Sequence, residues 1–524
     1  MGGRSLAAIQ LNNLILVWLF VLPFFVAGCA ALFPRLSLRF HSEEEKAAMA
    51  WAPFSLGALA SLMGLGLTVA LLPTALSGAP VSVDYWWTRN LYHFRLQADS
   101  LSLMAALAIC GLGFALHLHI VGLRETGQRH GASHSETPAS AAPNPEGSYR
   151  AACLLLAQGC GIGAALSADL ILVVFFLQLT LICLWLFVSA SSRQQHLRLF
   201  AVAHIGGLLV LGGALLMWQR ANDTSLQAQP LLLLSADPST LKLTSTLVLL
   251  GLLPLLPGAP AYGWLTALKS AKPSVPMVPA TLLTIVGGAL ALRLLPGTLL
   301  LPGVPVFAGL SLVLGLFSLW WGALRAWLAR DLRGFATWLT VAQSGYLLIA
   351  LAGAASPTAP TALLQAAALQ ILLAPLGIAA VWSAVSCVAT RAGTDALPGL
   401  SGLFRTMPIA GIALLAGGLS LAGVPPLAGF HVQHLLIAGL VGNGRWALAA
   451  ATVLVDLLMV AAVLSAFRQA FLRSEPPPRV APASGWLSLQ LLVLVAALLA
   501  AGIWPGPLTR WSDVILRTAL SMSP

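Results

Sequence analysis

Fourteen long apolar runs are the feature of this sequence that most restricts its fold. Each run is long enough, or nearly so, to cross the hydrocarbon core of a bilayer as a helix, which takes about 20 residues. The ten-residue alternation typical of membrane β-barrel strands is not seen. The sequence therefore predicts an all-α polytopic membrane bundle of about 14 transmembrane helices. The runs lie at residues 11–34, 51–74, 100–123, 150–166, 168–190, 197–219, 241–264, 274–295, 303–329, 335–353, 362–386, 406–441, 446–470 and 486–505.

The composition excludes several other classes of protein. Hydrophobic residues make up 58% of the chain and charged residues 8%, whereas about 25% of a soluble globular protein is charged. The net charge of +11 does not indicate nucleic acid, because the basic residues lie singly between apolar runs. The six cysteines show no CxxC or metal-ligand spacing. We expect a lipid bilayer as the surroundings, no nucleic-acid partner, no metal and no cofactor on this chain.

The basic residues predict the topology. Most of the 27 lysines and arginines flank the loops after odd-numbered runs, as do Arg124, Lys269, Arg330 and Arg405. Cytoplasmic loops carry the excess of positive charge. We therefore expect a multi-pass protein of the cell inner (plasma) membrane, with both termini outside. The segment 124–149, rich in Pro, Ala and Ser, is predicted to be a polar cytoplasmic linker.

Two proline clusters interrupt the seventh and twelfth runs. Pro254, Pro257 and Pro260 lie in the seventh run, and Pro425 and Pro426 in the twelfth. Proline removes a backbone donor and clashes with the preceding turn, so it breaks helices. Two broken helices at matching places in two halves predict inverted repeats, although a single proline can simply improve packing.

This pattern divides the chain into five parts. We expect an N-terminal three-helix segment at 1–123, the linker at 124–149, a first five-helix repeat (spans 4–8) at 150–295, a second repeat (spans 9–13) at 303–470, and a C-terminal loop with span 14 at 471–524. Helices 7 and 12 are the predicted broken helices.

Two motifs carry a family resemblance. Asp331 to Tyr346 reads DLRGFATWLTVAQSGY, and Ser420 to Phe430 reads SLAGVPPLAGF. Both resemble elements of the antiporter-like membrane subunits of proton-translocating NADH:quinone oxidoreductase (respiratory complex I) and related cation antiporters. The L-type subunit matches best, and the M and N types are also similar. The positions that favour the L type are His117, Cys183, His204 and Gln343.

The resemblance implies three intramembrane charges that this chain lacks. The family's fifth-span glutamate falls on Gln178, its seventh-span lysine on Leu255, and its twelfth-span lysine or glutamate on Gln433. A charge inside a membrane is costly and usually functional. Its loss at all three positions predicts a degenerate proton path.

Few titratable groups remain as candidates for an ion path. Histidine is a credible relay because its ordinary pKa is about 6.5. For His204 a structural hydrogen bond is the favoured alternative, and for Asp456 the alternative is pairing with an Arg or Ser of a neighbouring span. The same structural alternative is favoured for His117 and His119. The ion-path candidates are His431, His434, Asp456, His204, Gln178 and Gln433.

The resemblance implies a function within a larger assembly. We expect an antiporter-like subunit of an NADH:quinone oxidoreductase-type, proton-coupled electron-transfer complex, and thus a translocase subunit. No redox or catalytic centre is expected on this chain, so quinone chemistry and electron transport belong to its partners: other membrane subunits and a soluble partner protein. Two alternatives remain open. One is the membrane subunit of a two-component inorganic-carbon (bicarbonate) uptake system, and the other is a non-conducting structural spacer.

Overall fold

The computed structural model describes residues 6–37, 52–86, 93–131, 145–189, 197–221, 226, 238–299, 305–354, 361–472 and 484–521. These parts form a polytopic helical bundle, which confirms the predicted fold class. The helices are α1 Leu6–Ser37, α2 Ala52–Leu76, α3 Ser100–Gly131, α4 Pro145–Leu166, α5 Leu170–Ser189, α6 Leu197–Ala221, α7 Pro238–Leu255, α8 Gly263–Ala267, α9 Met277–Leu299, α10 Pro305–Trp327, α11 Leu332–Ala354, α12 Thr361–Ala392, α13 Pro408–Leu421, α14 Gly429–Gly442, α15 Trp446–Phe467, α16 Gly485–Ile503 and α17 Gly506–Ser521.

Eleven of the described helices are long and apolar enough to cross a membrane. The three other predicted spans correspond to α6, whose apolar part Phe200–Leu216 is shorter, and to two divided helices. The seventh run is divided into α7 and α8, and the twelfth into α13 and α14. The prediction of broken helices 7 and 12 is therefore confirmed.

Helix α11 lies at the centre of the bundle. Its whole apolar stretch is buried, whereas only 33% of the corresponding window is buried in α1, α10, α15 and α16. Helix α10 approaches α11 closely, because a Cβ added at Gly322 would lie only 2.7 Å from the backbone nitrogen of Ala342. Small residues permit such close contacts between membrane helices. Helix α11 is thus held by neighbours on all sides.

The segment predicted as a linker, 124–149, begins and ends in helical residues. Helix α3 continues to Gly131 and α4 begins at Pro145, so part of the predicted linker 124–149 is helical. The α3 extension contains helix-forming Arg, Glu and Gln residues, and proline is well suited to a first helical turn. The remaining residues, 132–144, lie outside the described residues.

A β-hairpin precedes α3, and the sequence did not predict it. Strand β1 (Val81–Trp86) pairs antiparallel with strand β2 (His93–Ala98). The hairpin leads directly into an ion pair between Asp99 and Arg293 of α9, with an N···O distance of 3.0 Å. Arg293 also donates to Ser102 Oγ and to the carbonyl of Ser167. This network ties the hairpin, α3 and the α4–α5 junction to α9.

A second ion-pair network lies at the other end of α9, beside the start of α11. Lys269 pairs with Asp331 at 2.9 Å, and Arg333 pairs with Asp395 at 2.7 Å. Arg333 also donates to the carbonyls of Lys269 and Ala271. Burial alone raises the pKa of Asp395, but the hydrogen bonds and positive charge of Arg333 outweigh it, and the pKa is lowered. These contacts join the loops that follow α8 and α12 to the first turn of α11.

Candidate functional site at the two helix breaks

The two breaks have the same backbone arrangement. Seven residues interrupt each helix, 256–262 in the first break and 422–428 in the second. Gly258 N–H donates to the carbonyl of Leu253, and the corresponding Val424 N–H donates to that of Leu419, both at 3.0 Å. Pro257 and Pro260 lie within the first break, and Pro425 and Pro426 within the second. Pro254 lies in the last turn of α7 instead.

Three buried glutamines meet at the second break. The carbonyl of Leu421, the last residue of α13, accepts from Gln433 Nε2 at 2.8 Å and from Gln343 Nε2 at 3.1 Å. Gln370 Nε2 in turn donates to Gln343 Oε1 at 3.0 Å. A broken helix leaves carbonyls without intrahelical donors, and inside a membrane each must find a partner. Side-chain amides from α11 and α14 supply those donors here.

Other side chains satisfy the backbone of the first break. Ala259 N–H donates to Ser318 Oγ at 2.9 Å, and Trp264 Nε1 donates to the carbonyl of Pro254 at 2.8 Å. Leu255, at the position of the family's lysine, is fully buried. Its backbone and Cβ lie against Gly287 of α9. The side chains at this break therefore provide hydrogen bonds and apolar packing.

Gln178 and His204 bond to each other between α5 and α6. Gln178 Oε1 lies 2.6 Å from His204 Nδ1, and Gln178 Nε2 donates to the carbonyl of His204 at 3.3 Å. Because Oε1 can only accept, Nδ1 carries the proton and Nε2 is the basic nitrogen of the neutral ring. Both residues are partly exposed on the bundle surface. The structure therefore brings two of the candidate residues into one pair.

The two histidines of α14 point in different directions. His431 Nε2 donates to the carbonyl of Gly502 on α16 at 2.7 Å. His434 is exposed and stacks on Phe430 with a centroid distance of 5.6 Å. They lie on the helix that leaves the second break but do not form a pair.

Asp456 on α15 has a tyrosine as its partner. The hydroxyl of Tyr346, a buried residue of α11, donates to Asp456 Oδ1. The same hydroxyl lies 3.8 Å from Met459 Sδ. The partner expected from the sequence was an Arg or Ser of a neighbouring span. Tyr346 was not predicted, although it is the last residue of the motif Asp331 to Tyr346.

A buried polar chain around His119 has partners that the sequence did not predict. His119 of α3 lies 3.0 Å from Ser386 Oγ of α12 and 3.3 Å from Gln490 Oε1 of α16. Gln490 Nε2 donates to Ser383 Oγ at 2.9 Å. Both ring nitrogens of His119 thus have partners, which fits a structural role. Polar residues in apolar spans were the available signal, but the sequence does not show which ones meet.

No group of three or more His, Cys, Asp or Glu residues in the part of the chain that the structure describes is arranged to hold a metal ion.

A sequence comparison shows the family to which the chain belongs. The sequence profile of the family "NADH:quinone oxidoreductase/Mrp antiporter, TM" matches residues 167–459, more than half of the 524-residue chain. The chain belongs to this family. The match contains both breaks, the Gln178–His204 pair and Asp456, so the Mrp/oxidoreductase antiporter domain includes every candidate residue described above.

Curated relatives of the antiporter domain come from several kinds of complex. Subunit M of the F(420)H(2) dehydrogenase of Methanosarcina mazei is 27% identical over 299 residues, 54% of this chain and 59% of the relative. Na(+)/H(+) antiporter subunit A1 of Staphylococcus haemolyticus is 24% identical over 489 residues, 86% of this chain and 58% of the relative. The chain thus spans less than two thirds of the length of these relatives.

Solved structures show the same fold. A chain of the Mrp complex from Dietzia sp. DQ12-45-1b superposes with a TM-score of 0.75 at 20% identity, covering 98% of both chains. A chain of the membrane-bound sulfane sulfur reductase, an archaeal respiratory complex, gives 0.79 at 16% identity over 98% of both. A chain of respiratory complex I from Thermus thermophilus gives 0.74 at 18%, covering 97% of this chain and 100% of that one.

Proposed function

We propose that this chain is an antiporter-like subunit of an NADH:quinone oxidoreductase-type, proton-coupled electron-transfer complex in the plasma membrane, and that its own proton path is degenerate. Family membership over residues 167–459 supports the first half of the proposal. The fold likeness to chains of an Mrp complex and of respiratory complex I is consistent with other membrane subunits as partners.

The observation that carries the second half lies at the second break. Gln433 occupies the position of the family's charge and donates to the carbonyl of Leu421. A side-chain amide can donate and accept hydrogen bonds, but it does not take up and release a proton near neutral pH. Gln343 donates to the same carbonyl. The break is therefore held by fixed hydrogen bonds where the family uses a titratable group.

The first repeat has lost its charges as well. Leu255 offers no polar atom in its side chain, and Gln178 is occupied with His204 at both ends of its amide. His204 contacts Gln178 from α6, whereas Asp456 lies on α15 with Tyr346 as its partner. The subunit then contributes packing, coupling or a partner-dependent route, with no pumping by the family's charge mechanism.

The test is proton flux through the native assembly in proteoliposomes. We expect little flux attributable to this subunit, and a gain after Gln178→Glu combined with Leu255→Lys. The matched control is Gln469→Glu, which changes a glutamine outside the breaks. Robust flux in the unmodified assembly that disappears after His431→Ala with His434→Ala would contradict the proposal and make the second break a relay.

The identity of the complex is tested by its partners. The L-type assignment and a soluble redox partner predict hydrophilic oxidoreductase subunits in the purified native assembly. Recovery of a large zinc-dependent, carbonic-anhydrase-like protein instead would support the inorganic-carbon uptake system. An assembly with redox subunits and no flux through this chain, even after the charges are restored, would support the structural spacer.

A further inference from the structure

A small cavity lies between α3, α4 and α9, and no residue of either break lines it. Its walls are mainly apolar, with Leu112 and Leu116 of α3 and Leu282 of α9 among them, but Gln158 and Thr281 also line it. The space open to the centre of a water molecule is about 10 Å³, and a site for one water takes about 10–15 Å³ of such space. The cavity is thus large enough for one water molecule.

Gln158 has a side-chain polar atom that no group in the described part of the chain satisfies. The residue is 4% exposed, and its Nε2 has no hydrogen-bond partner among the residues that the structure describes. Nε2 lies beside Gly113, which also lines the cavity, since a Cβ added at Gly113 would lie 2.5 Å from it. A buried amide nitrogen at a cavity wall indicates a small acceptor in that cavity.

The other end of the amide is fixed by Ser61 of α2. Ser61 Oγ lies 3.1 Å from Gln158 Oε1 and 2.9 Å from the carbonyl of Gly57. The hydroxyl has a single hydrogen, so it can also accept from the amide if Oε1 and Nε2 exchange places. Either arrangement leaves one polar atom of Gln158 at the cavity. Water suits both, because it donates and accepts.

Thr281 supplies a second polar group on the opposite helix. It is 1% exposed, and its Oγ1 donates to the carbonyl of Met277 at 2.8 Å. The hydroxyl oxygen keeps lone pairs that can accept from a water. A cation would need several oxygen ligands, which the apolar walls do not provide.

We propose that a single ordered water bridges Gln158 of α4 and Thr281 of α9. With the Ser61–Gln158 bond, it forms a polar link from α2, in the N-terminal segment, to α9, whose Gly287 packs against Leu255 at the first break. The site is distinct from the Gln178–His204 pair and does not depend on whether the subunit conducts protons.

The experiment is radiolytic labelling of the intact assembly in water enriched with a heavy oxygen isotope. Hydroxyl radicals formed from a bound water modify the side chains beside it. Leu282 lines the cavity and its buried neighbour Leu283 does not, so the two form a matched pair. We expect isotope label at Leu282 several-fold above that at Leu283, and loss of the difference after Gln158→Leu or Thr281→Val.

The control variant is Thr284→Val on the same helix. Thr284 donates to the carbonyl of Ala280 and does not line the cavity, so labelling of Leu282 should persist. Equal labelling of Leu282 and Leu283, no label at either, or persistence in both site variants would overturn the proposal. If the variants do not fold, an experimental density map of the unmodified protein decides, since a cavity without a density peak between Gln158 and Thr281 overturns it.

Discussion

Gly502 shows how one residue determines the position of the second break. A Cβ added at Gly502 would lie 2.6 Å from the carbonyl carbon of Leu427, and His431 donates to the Gly502 carbonyl. Helix α16 can therefore approach the break only because this residue has no side chain. The break and the end of α16 form one packed unit.

We predict that Gly502→Ala destabilises the protein by about 1–3 kcal/mol, the usual cost of overpacking. The added methyl pushes α16 away from the break and lengthens the His431 hydrogen bond. Thermal unfolding in detergent measures the effect. Gly485→Ala at the start of the same helix is the control, because a Cβ there meets no atom within 4 Å. Equal melting temperatures for the two variants would contradict the prediction.

At the scale of the element, two hydrogen-bond donors that share one acceptor hold the second break. Two amides share the carbonyl of Leu421, so neither is the sole partner of that acceptor. Each amide nitrogen has two hydrogens, and Gln343 Oε1 also accepts from Gln370. The three glutamines thus stabilise the end of α13 jointly.

We predict that Gln343→Leu and Gln433→Leu together lower the free energy of unfolding by more than the sum of their separate effects. After either single change the carbonyl keeps one donor, whereas the double variant leaves a buried carbonyl unsatisfied at an extra cost of about 1–3 kcal/mol. A double-mutant cycle on unfolding free energies measures the coupling. Strict additivity would show that the shared carbonyl does not matter.

The loop between α12 and α13 is predicted to loosen in acid. Arg333 lowers the pKa of Asp395, so the pair contributes stability above the ordinary aspartate pKa of about 3.9. That contribution is lost as the pH falls through the lowered, folded-state value. Limited proteolysis of this loop should accelerate below about pH 4. In Asp395→Asn the loop should already be cleaved faster at neutral pH. The further acceleration in acid that is due to this pair should then be absent.

Predictability from sequence differed between elements for physical reasons. The breaks were foreseen because proline has a local effect that needs no partner. The meeting of Gln343, Gln370 and Gln433 was not, because it depends on the rotation of three separate helices. Helix α5 is apolar on all sides, so the sequence does not show which way Gln178 faces. The β-hairpin was missed because two short strands are marginal alone and depend here on tertiary contacts.

At the scale of the whole molecule, the charge distribution predicts orientation. Basic residues such as Lys269, Arg330 and Arg405 lie in loops on one side by parity, which favours a cytoplasmic location for that side. From the same parity we predict that the segment around His134, outside the described residues, faces that side and that Pro524 faces the other. Reporter fusions at these two positions should give opposite locations. The same location for both would contradict the fourteen-span topology.

The complete burial of α11 has a mechanical consequence. A helix enclosed on every side cannot tilt or slide without displacing several close-packed neighbours, whereas peripheral helices such as α15 can move against lipid. Through Gln343 and Tyr346, α11 contacts both the second break and Asp456. In any conformational cycle of the subunit, α11 should stay fixed. Its amide hydrogens should exchange last, while the segments that it contacts move around it.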